Sequence, residues 1–396
     1  MLSLRLLCPP LLLLSLGLSP AAAADTPFMS ALREGEVSLG LRLRFESVQQ
    51  NNPLEDAQAL TLRTALGYTT RRWQGFSAQV EMENIDALID DYSGTPPPAR
   101  FSVVADPEGT EINQWRLRYT GIEGLVASVG RSRLILDNAR WVGNVGWRQN
   151  EQTFDGAFIE ATPLTGLSLN GAYIRNINSI FFTNIDLDGV LLNARWEASP
   201  ALSLSAYAYL LEYETLTAAT PDADTWGLRA AGGRPLSPAV KLHYVAELAR
   251  QQASAPAGEF TATYGLGELG LGYRGHALAV GYEVLGSDGG DYAVMTPLAT
   301  LHAHNGWNDL FLVTPPGGLR DRYLRLTGKL GKAAWMVKAH DFRADRGDAR
   351  YGSELNLQLG FPLIGALDGG LKYGAYSADT LGVDTDKFWA WLSWGF

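Results

Sequence analysis

Val37-Ser38-Leu39-Gly40-Leu41-Arg42-Leu43-Arg44-Phe45 alternates without a break. Odd positions are apolar and even ones small or cationic, the period of two expected of a strand with one face in a greasy medium and the other in water. The pattern returns in Leu60, Leu62, Leu66 and Tyr68 against Thr61 and Arg63, and in Phe76, Ala78, Val80 and Met82 against Gln79, Glu81 and Glu83. Trp115, Leu117 and Tyr119 alternate with Arg116 and Arg118, and the runs from Val240 to Leu248, Leu278 to Val284 and Leu355 to Phe361 repeat it.

What surrounds these runs decides between a water-soluble sheet and a membrane one. Glycine (43 residues), Tyr (16) and Trp (11) are plentiful and charged residues make up only 19% of the 396, yet after the N-terminus no segment approaches the roughly 20 apolar residues of a spanning helix. A closed β-barrel is the other way to cross hydrocarbon with every backbone N–H and C=O paired. The N-terminus reads as an export signal: Arg5, an apolar stretch from Leu11 to Leu18, then Ala22-Ala23-Ala24, with cleavage expected after Ala24. Residues 1–24 are thus expected to be a signal peptide and 25–396 a single barrel domain. Cys8 is the sole cysteine and Leu7 precedes it where a lipoprotein site wants a small residue, so the mature chain is expected to be thiol-free.

Connections alternate in length. Arg71–Gly75, Gly121–Gly124, Thr162–Gly166, Glu197–Ala201, Arg274–His276 and Gly331–Ala333 are tight, whereas Ala87–Ile112, Ile135–Gln152, Asn176–Asp186, Glu214–Asp224, Gln251–Ala262 and Gly286–Asp321 are long. Short periplasmic turns and long extracellular loops are the outer-membrane arrangement, and the count comes to about 18 strands, even in number as termini on one side require. A β-sandwich or propeller has no use for aromatics at strand ends, where this chain places Tyr68, Trp73, Trp115, Tyr119, Trp196, Trp226, Tyr273 and Trp394. Its last strand, Phe388 to Phe396, is aromatic and closes on Phe, resembling the signal read by barrel-assembly machinery, an expected partner.

Two segments, RSRLILDNARWVGNVGWRQNEQTFDG from Arg131 to Gly156 and TPLATLHAHNGWNDLFLVTPPGGLRD from Thr296 to Asp321, resemble signature segments of the alginate-export family of outer-membrane porins. The resemblance implies an eighteen-stranded barrel that exports an anionic polysaccharide passively, with periplasmic export components as partners. Both segments fall in loops and their rims.

A barrel of this size encloses an aqueous channel. Opposite the apolar stripes lie Arg42, Arg44, Arg63, Arg116, Arg118, Arg229, Lys241, Arg325 and Lys372, against Glu46, Glu81, Glu83, Glu247, Glu283 and Glu354. The formal charge of −10 therefore resides in loops: Asp86, Asp90, Asp91, Asp106, Glu108 and Glu111 in one, Glu212, Glu214, Asp222 and Asp224 in another, Asp379, Asp384 and Asp386 in the last. Cationic walls favour anions. Each lumen Arg has two readings, a contact for the solute or a brace paired to a neighbouring Glu. Arg131 and Arg133 share register with Leu125, Ala127 and Val129, so they either snorkel at the outer rim or are shifted inward by a bulge. A nutrient porin for small anions is the alternative function, with loops Ala87–Ile112 and Gly286–Asp321 expected to constrict either channel.

Other motifs carry less. Gly265-Leu266-Gly267-Glu268-Leu269-Gly270 has dinucleotide-binding spacing but sits in a strand pattern rather than opening a helix. His302, His304 and Asp309 are too few for a structural metal site, and no metal or cofactor is expected. Glu81 and Glu83 share a face at a spacing compatible with an acid/base pair, which makes an outer-membrane hydrolase the third reading. The acidic loops suit divalent cations bridging to lipopolysaccharide phosphates. Membrane lipid and lipopolysaccharide are expected neighbours; nucleic acid is not.

Overall fold

The structure is a computed structural model describing residues 26–396; the predicted signal peptide, Cys8 included, lies outside them. After a short helix α1 (Pro27–Arg33), eighteen long strands follow. They are β1 (Glu36–Gln50), β2 (Ala57–Thr69), β3 (Phe76–Asp91), β4 (Gly109–Ile122), β5 (Leu125–Ser132), β6 (Thr153–Leu164), β7 (Leu167–Asn178), β8 (Asn184–Ser199) and β9 (Leu202–Tyr213). The second half comprises β10 (Asp222–Pro235), β11 (Val240–Ala255), β12 (Gly258–Tyr273), β13 (His276–Leu285), β14 (Leu319–Leu330), β15 (Ala333–Arg343), β16 (Arg350–Pro362), β17 (Asp368–Ala378) and β18 (Thr385–Gly395). Each pairs antiparallel with the next, and β1 pairs with β18 from Gly40↔Gly395 to Gln50↔Thr385, which closes the barrel and removes its edges.

The alternation sorts side chains as the pleat requires. Val37, Leu66, Val80, Leu117 and Leu248 stand exposed on the outer wall, with Trp115, Trp196, Trp226, Tyr273 and Trp394 among them. Register carries the inner face from strand to strand: Arg42 lies opposite Arg63, Gln79 opposite Arg116, Arg229 opposite Glu247. Two lumen tyrosines lie flat across glycines on neighbouring strands, Tyr207 over Gly227 and Tyr323 over Gly281, where any Cβ would stand 2.2 Å or 2.0 Å from the ring. The dinucleotide-like glycines lie inside β12.

At the periplasmic end Thr26 caps α1 through Met29 N–H, and Phe28 meets the Trp73 ring edge-on at 5.1 Å. Several loop expectations need correction. Gln251–Ala262 is no loop: β11 and β12 run on to a turn at Pro256 and Ala257, because their polar upper ends stand above the apolar band rather than ending at it. β3 likewise extends to Asp91, leaving a loop of 92–108. In β18, Trp389 and Trp391 face inward while Phe388 and Trp394 face out, so the aromatic ending serves both sides.

Candidate functional site

The lumen is the candidate site, and two extracellular loops occupy it. Loop 133–152, between β5 and β6, and loop 286–318, between β13 and β14, turn inward and pack on the lumen wall. Trp141, Val142, Met295, Leu298 and Phe311 join Phe154, Ile174, Leu191, Tyr209 and Tyr264 in one apolar cluster inside the barrel. Burying that much apolar surface within a polar lumen drives the inward fold. The loops also join each other: Gly143 N–H donates to Leu298 C=O at 2.8 Å, Thr300 N–H to Ala139 C=O at 3.0 Å, and Val145 N–H to Thr300 Oγ1 at 3.0 Å. The two resembling segments contain nearly all of this interior structure. Of the loops expected to constrict the channel, 286–318 does so; Ala87–Ile112 contributes chiefly Asp106, and 133–152 takes the larger part.

Buried charge fastens the loops to the seam between β1 and β18. Asp309 accepts from Arg148 at 2.8 Å, Lys387 at 3.2 Å and His302 Nδ1 at 2.7 Å, and Arg148 also reaches Glu46 at 3.0 Å. His302 Nε2 accepts from Lys372 Nζ at 2.6 Å, and Lys372 itself lies 4.0 Å from the Trp147 ring centre and 3.8 Å from that of Trp307. Trp147 stacks on His302 at 5.1 Å. Burial and the Lys372 ammonium, against the pull of Asp309, bring the His302 pKa down to about 3. Burial opposes ionisation of Asp309, but the His302 N–H, Lys387 and Arg148 outweigh it and hold the carboxyl well below the usual range. A second anchor lies across the barrel. Arg140 pairs with Glu283 at 2.8 Å, and Asn305 bridges Glu283 (2.8 Å) and Asp321 (3.2 Å). His304 turns toward that side, away from His302, and no cluster of three metal-ligating side chains occurs among the described residues.

The sequence-predicted lumen residues divide into three groups. Arg42 and Arg44 do face inward, but they hold loops: Arg42 donates to Gln149 Oε1 (2.7 Å) and to loop carbonyls, Arg44 to Trp147 C=O and Asp106. At 1% exposed, Arg44 is covered and lines no open path, and Asp106 is a buried partner rather than part of an outer acidic cluster. Arg63 with Glu83, Arg229 with Glu247 and Arg325 with Glu268 are ion-paired braces. Glu83 is fully covered, and Glu81 accepts from Asn113 (2.7 Å) and Gln114 (3.1 Å), so these two carboxylates are engaged in wall contacts. The third group comprises Arg116, whose Nε donates to Gln79 at 2.7 Å, and Arg118, neither with a carboxylate partner among the described residues. Lys338, absent from the sequence-level set, joins them: it lies 4.1 Å from the centre of the Tyr323 ring. Arg131 stays on the outer face, paired with Asp155 at 2.8 Å; Arg133, past the end of β5, turns in to Glu151.

No protein-family model and no curated relative matches the chain. Solved barrels do. OccK9 (OpdG) of Pseudomonas aeruginosa superposes with a TM-score of 0.72 at 15% identity, covering 93% of this chain and 99% of that one. OccAB4 of Acinetobacter baumannii gives 0.72 at 13%, covering 91% and 98%. OpdK of Pseudomonas aeruginosa, crystallised with vanillate, gives 0.72 at 13%, covering 92% and 99%. The fold is that of the Occ outer-membrane porins. Nothing found supports the alginate-export family; the segments that suggested it are the loops that fill the lumen.

Proposed function

We propose that this barrel is a passive, anion-preferring channel for small solutes, a nutrient-uptake porin rather than a polysaccharide exporter. One observation carries the reading: loops 133–152 and 286–318 lie inside the barrel, fastened to its wall by buried ion pairs, and they narrow a lumen that a polymer would need open. Arg116, Arg118 and Lys338, which have no carboxylate partner among the described residues, supply the preference for anions, since cationic side chains in a pore lower the barrier to anions. A planar guanidinium matches a carboxylate through two parallel hydrogen bonds, and one structural neighbour was crystallised with a small carboxylate, vanillate. The site residues act by charge and position, without turnover.

Planar-bilayer recordings under a salt gradient, combined with liposome-swelling assays, test this. The expected outcome is a reversal potential of anionic sign, swelling with vanillate and none with long oligouronates. Cation selectivity, or swelling with the polymer, refutes the proposal.

A further inference from the structure

We propose that the outer wall from β10 to β15 binds a phosphorylated glycolipid of the outer leaflet, with Arg250 and Arg322 as its two phosphate contacts. Both side chains point away from the lumen. On β11, Glu247, Ala249 and Gln251 face in and are buried, so Arg250 stands outward beside Leu248; on β14, Asp321 and Tyr323 face in, so Arg322 stands outward beside Leu324. Arg250 lies directly across from Trp226 and Arg322 from Tyr282, aromatics of the extracellular half of the wall. That is the level where headgroups meet hydrocarbon.

The other outward arginines of this half have carboxylates. Arg131 is paired with Asp155, Arg175 with Asp188, Arg320 with Asp345, Arg343 with Asp341, and Arg350 with Asp341 and Asp379. Arg250 has no partner among the described residues, and Arg322 has only the Tyr282 ring, 5.8 Å away. The acid across from Arg322, Asp341, is already taken by two other arginines. A guanidinium at the edge of hydrocarbon without a counter-ion is costly, so the partner comes from outside the chain.

The wall between the two arginines is shaped for acyl chains. Small outward residues, Ala246, Gly265 and Gly267, lie there among larger ones such as Leu248 and Leu269 and open apolar grooves between them, with Arg250 lining one and Arg322 the other. Arg250 stands ten residues above Val240 and Arg322 eight above Leu330, so the two lie at similar height. Followed along the ladder through Thr263 and Gly286, Arg250 is in register with position 318, just before β14 and four residues from Arg322, so three strand spacings and that offset put the two about 20 Å apart on the wall. Two phosphates on one headgroup, with chains hanging into the grooves, fit this layout; a single-phosphate lipid meets only one arginine.

The test uses the full barrel refolded in detergent from lipid-free chain, offered bisphosphorylated lipid A or phosphatidylglycerol and read by native mass spectrometry. The wild type is expected to retain one lipid A in preference to phosphatidylglycerol. The R250Q/R322Q variant is expected to lose at least about tenfold in retention, R250K/R322K to recover most of it, and R343Q/R350Q to behave as wild type. Equal retention of the two lipids by the wild type, or wild-type retention by R250Q/R322Q, overturns the proposal. So does a paired-barrel mass that R250Q/R322Q abolishes, since it assigns this wall to a second copy of the chain.

Discussion

Asp309→Asn tests most directly what keeps the channel narrow. The substitution preserves shape and removes one buried negative charge facing Arg148 at 2.8 Å and Lys387 at 3.2 Å. Breaking one partner of a buried ion pair costs about 3–5 kcal/mol. Arg148 keeps Glu46 at 3.0 Å, so the lower end applies, and about 3 kcal/mol shifts the seated-to-released ratio of the loop by about a hundredfold. The assay is single-channel recording in planar bilayers. Asp309→Asn should show larger mean conductance and frequent transitions between levels, with weaker anion preference as the lumen widens. Glu46→Gln should give a similar phenotype, and the double variant more than the sum, because only the loss of both carboxylates leaves the buried guanidinium without a counter-charge. A D309N channel with wild-type conductance and noise would refute the idea that this carboxylate seats the loop.

Acid should act on the same fastening. His302 sits at about 3 when seated and near 6.5 when free, so the neutral ring is favoured in the seated loop; its contribution is complete above about pH 6.5 and declines as pH falls toward 3, by about 1.4 kcal/mol per unit. Mean conductance should rise on acidification through that window, and a flat record from pH 7 to 4 would contradict it. Replacing Arg116 and Arg118 by Gln should move the reversal potential toward zero with little effect on conductance level; an unchanged potential would remove them from the solute path. Cysteine at 39 or 41 should resist a membrane-impermeant thiol reagent while cysteine at 116 reacts, and cysteine at 44 should react only when D309N is also present. Gly281→Ala should displace the Tyr323 ring and cost about 1–3 kcal/mol, seen as a lower urea midpoint for loss of the heat-modifiable band on gels.

The barrel was legible because a period of two is local: Val37 to Phe45 alone separates inside from outside, and strand pairing carries that assignment round the wall. Long-range folding of the loops was not. Whether Arg44 meets solute or Asp106 depends on residues 62 apart, and the meeting of Trp147 and His302 on residues 155 apart, distances at which sequence pattern carries no register. A usable signal did exist. Trp141, Trp147, Trp307 and Phe311 are large apolar residues in segments read as loops, and such residues need somewhere dry to go. The end of β11 misled for the opposite reason, since Gln251 and Gln252 look like loop but continue the ladder above the apolar band.

The seam where β1 meets β18 also sets an order of events. The pieces that receive the loops come from both ends of the chain, Arg44 and Glu46 from the first strand and Lys387 and Trp389 from the last. They become neighbours only when the first and last strands zip together. This fastening is therefore complete only at closure, whereas the apolar packing and the Arg140–Glu283 pair on the opposite wall use strands from the middle of the chain. Loss of the final strand would leave more than an unpaired edge: Asp309 would lose Lys387 and Trp147 would lose the Trp389 ring, so one of the two anchors that seat the loops would be incomplete.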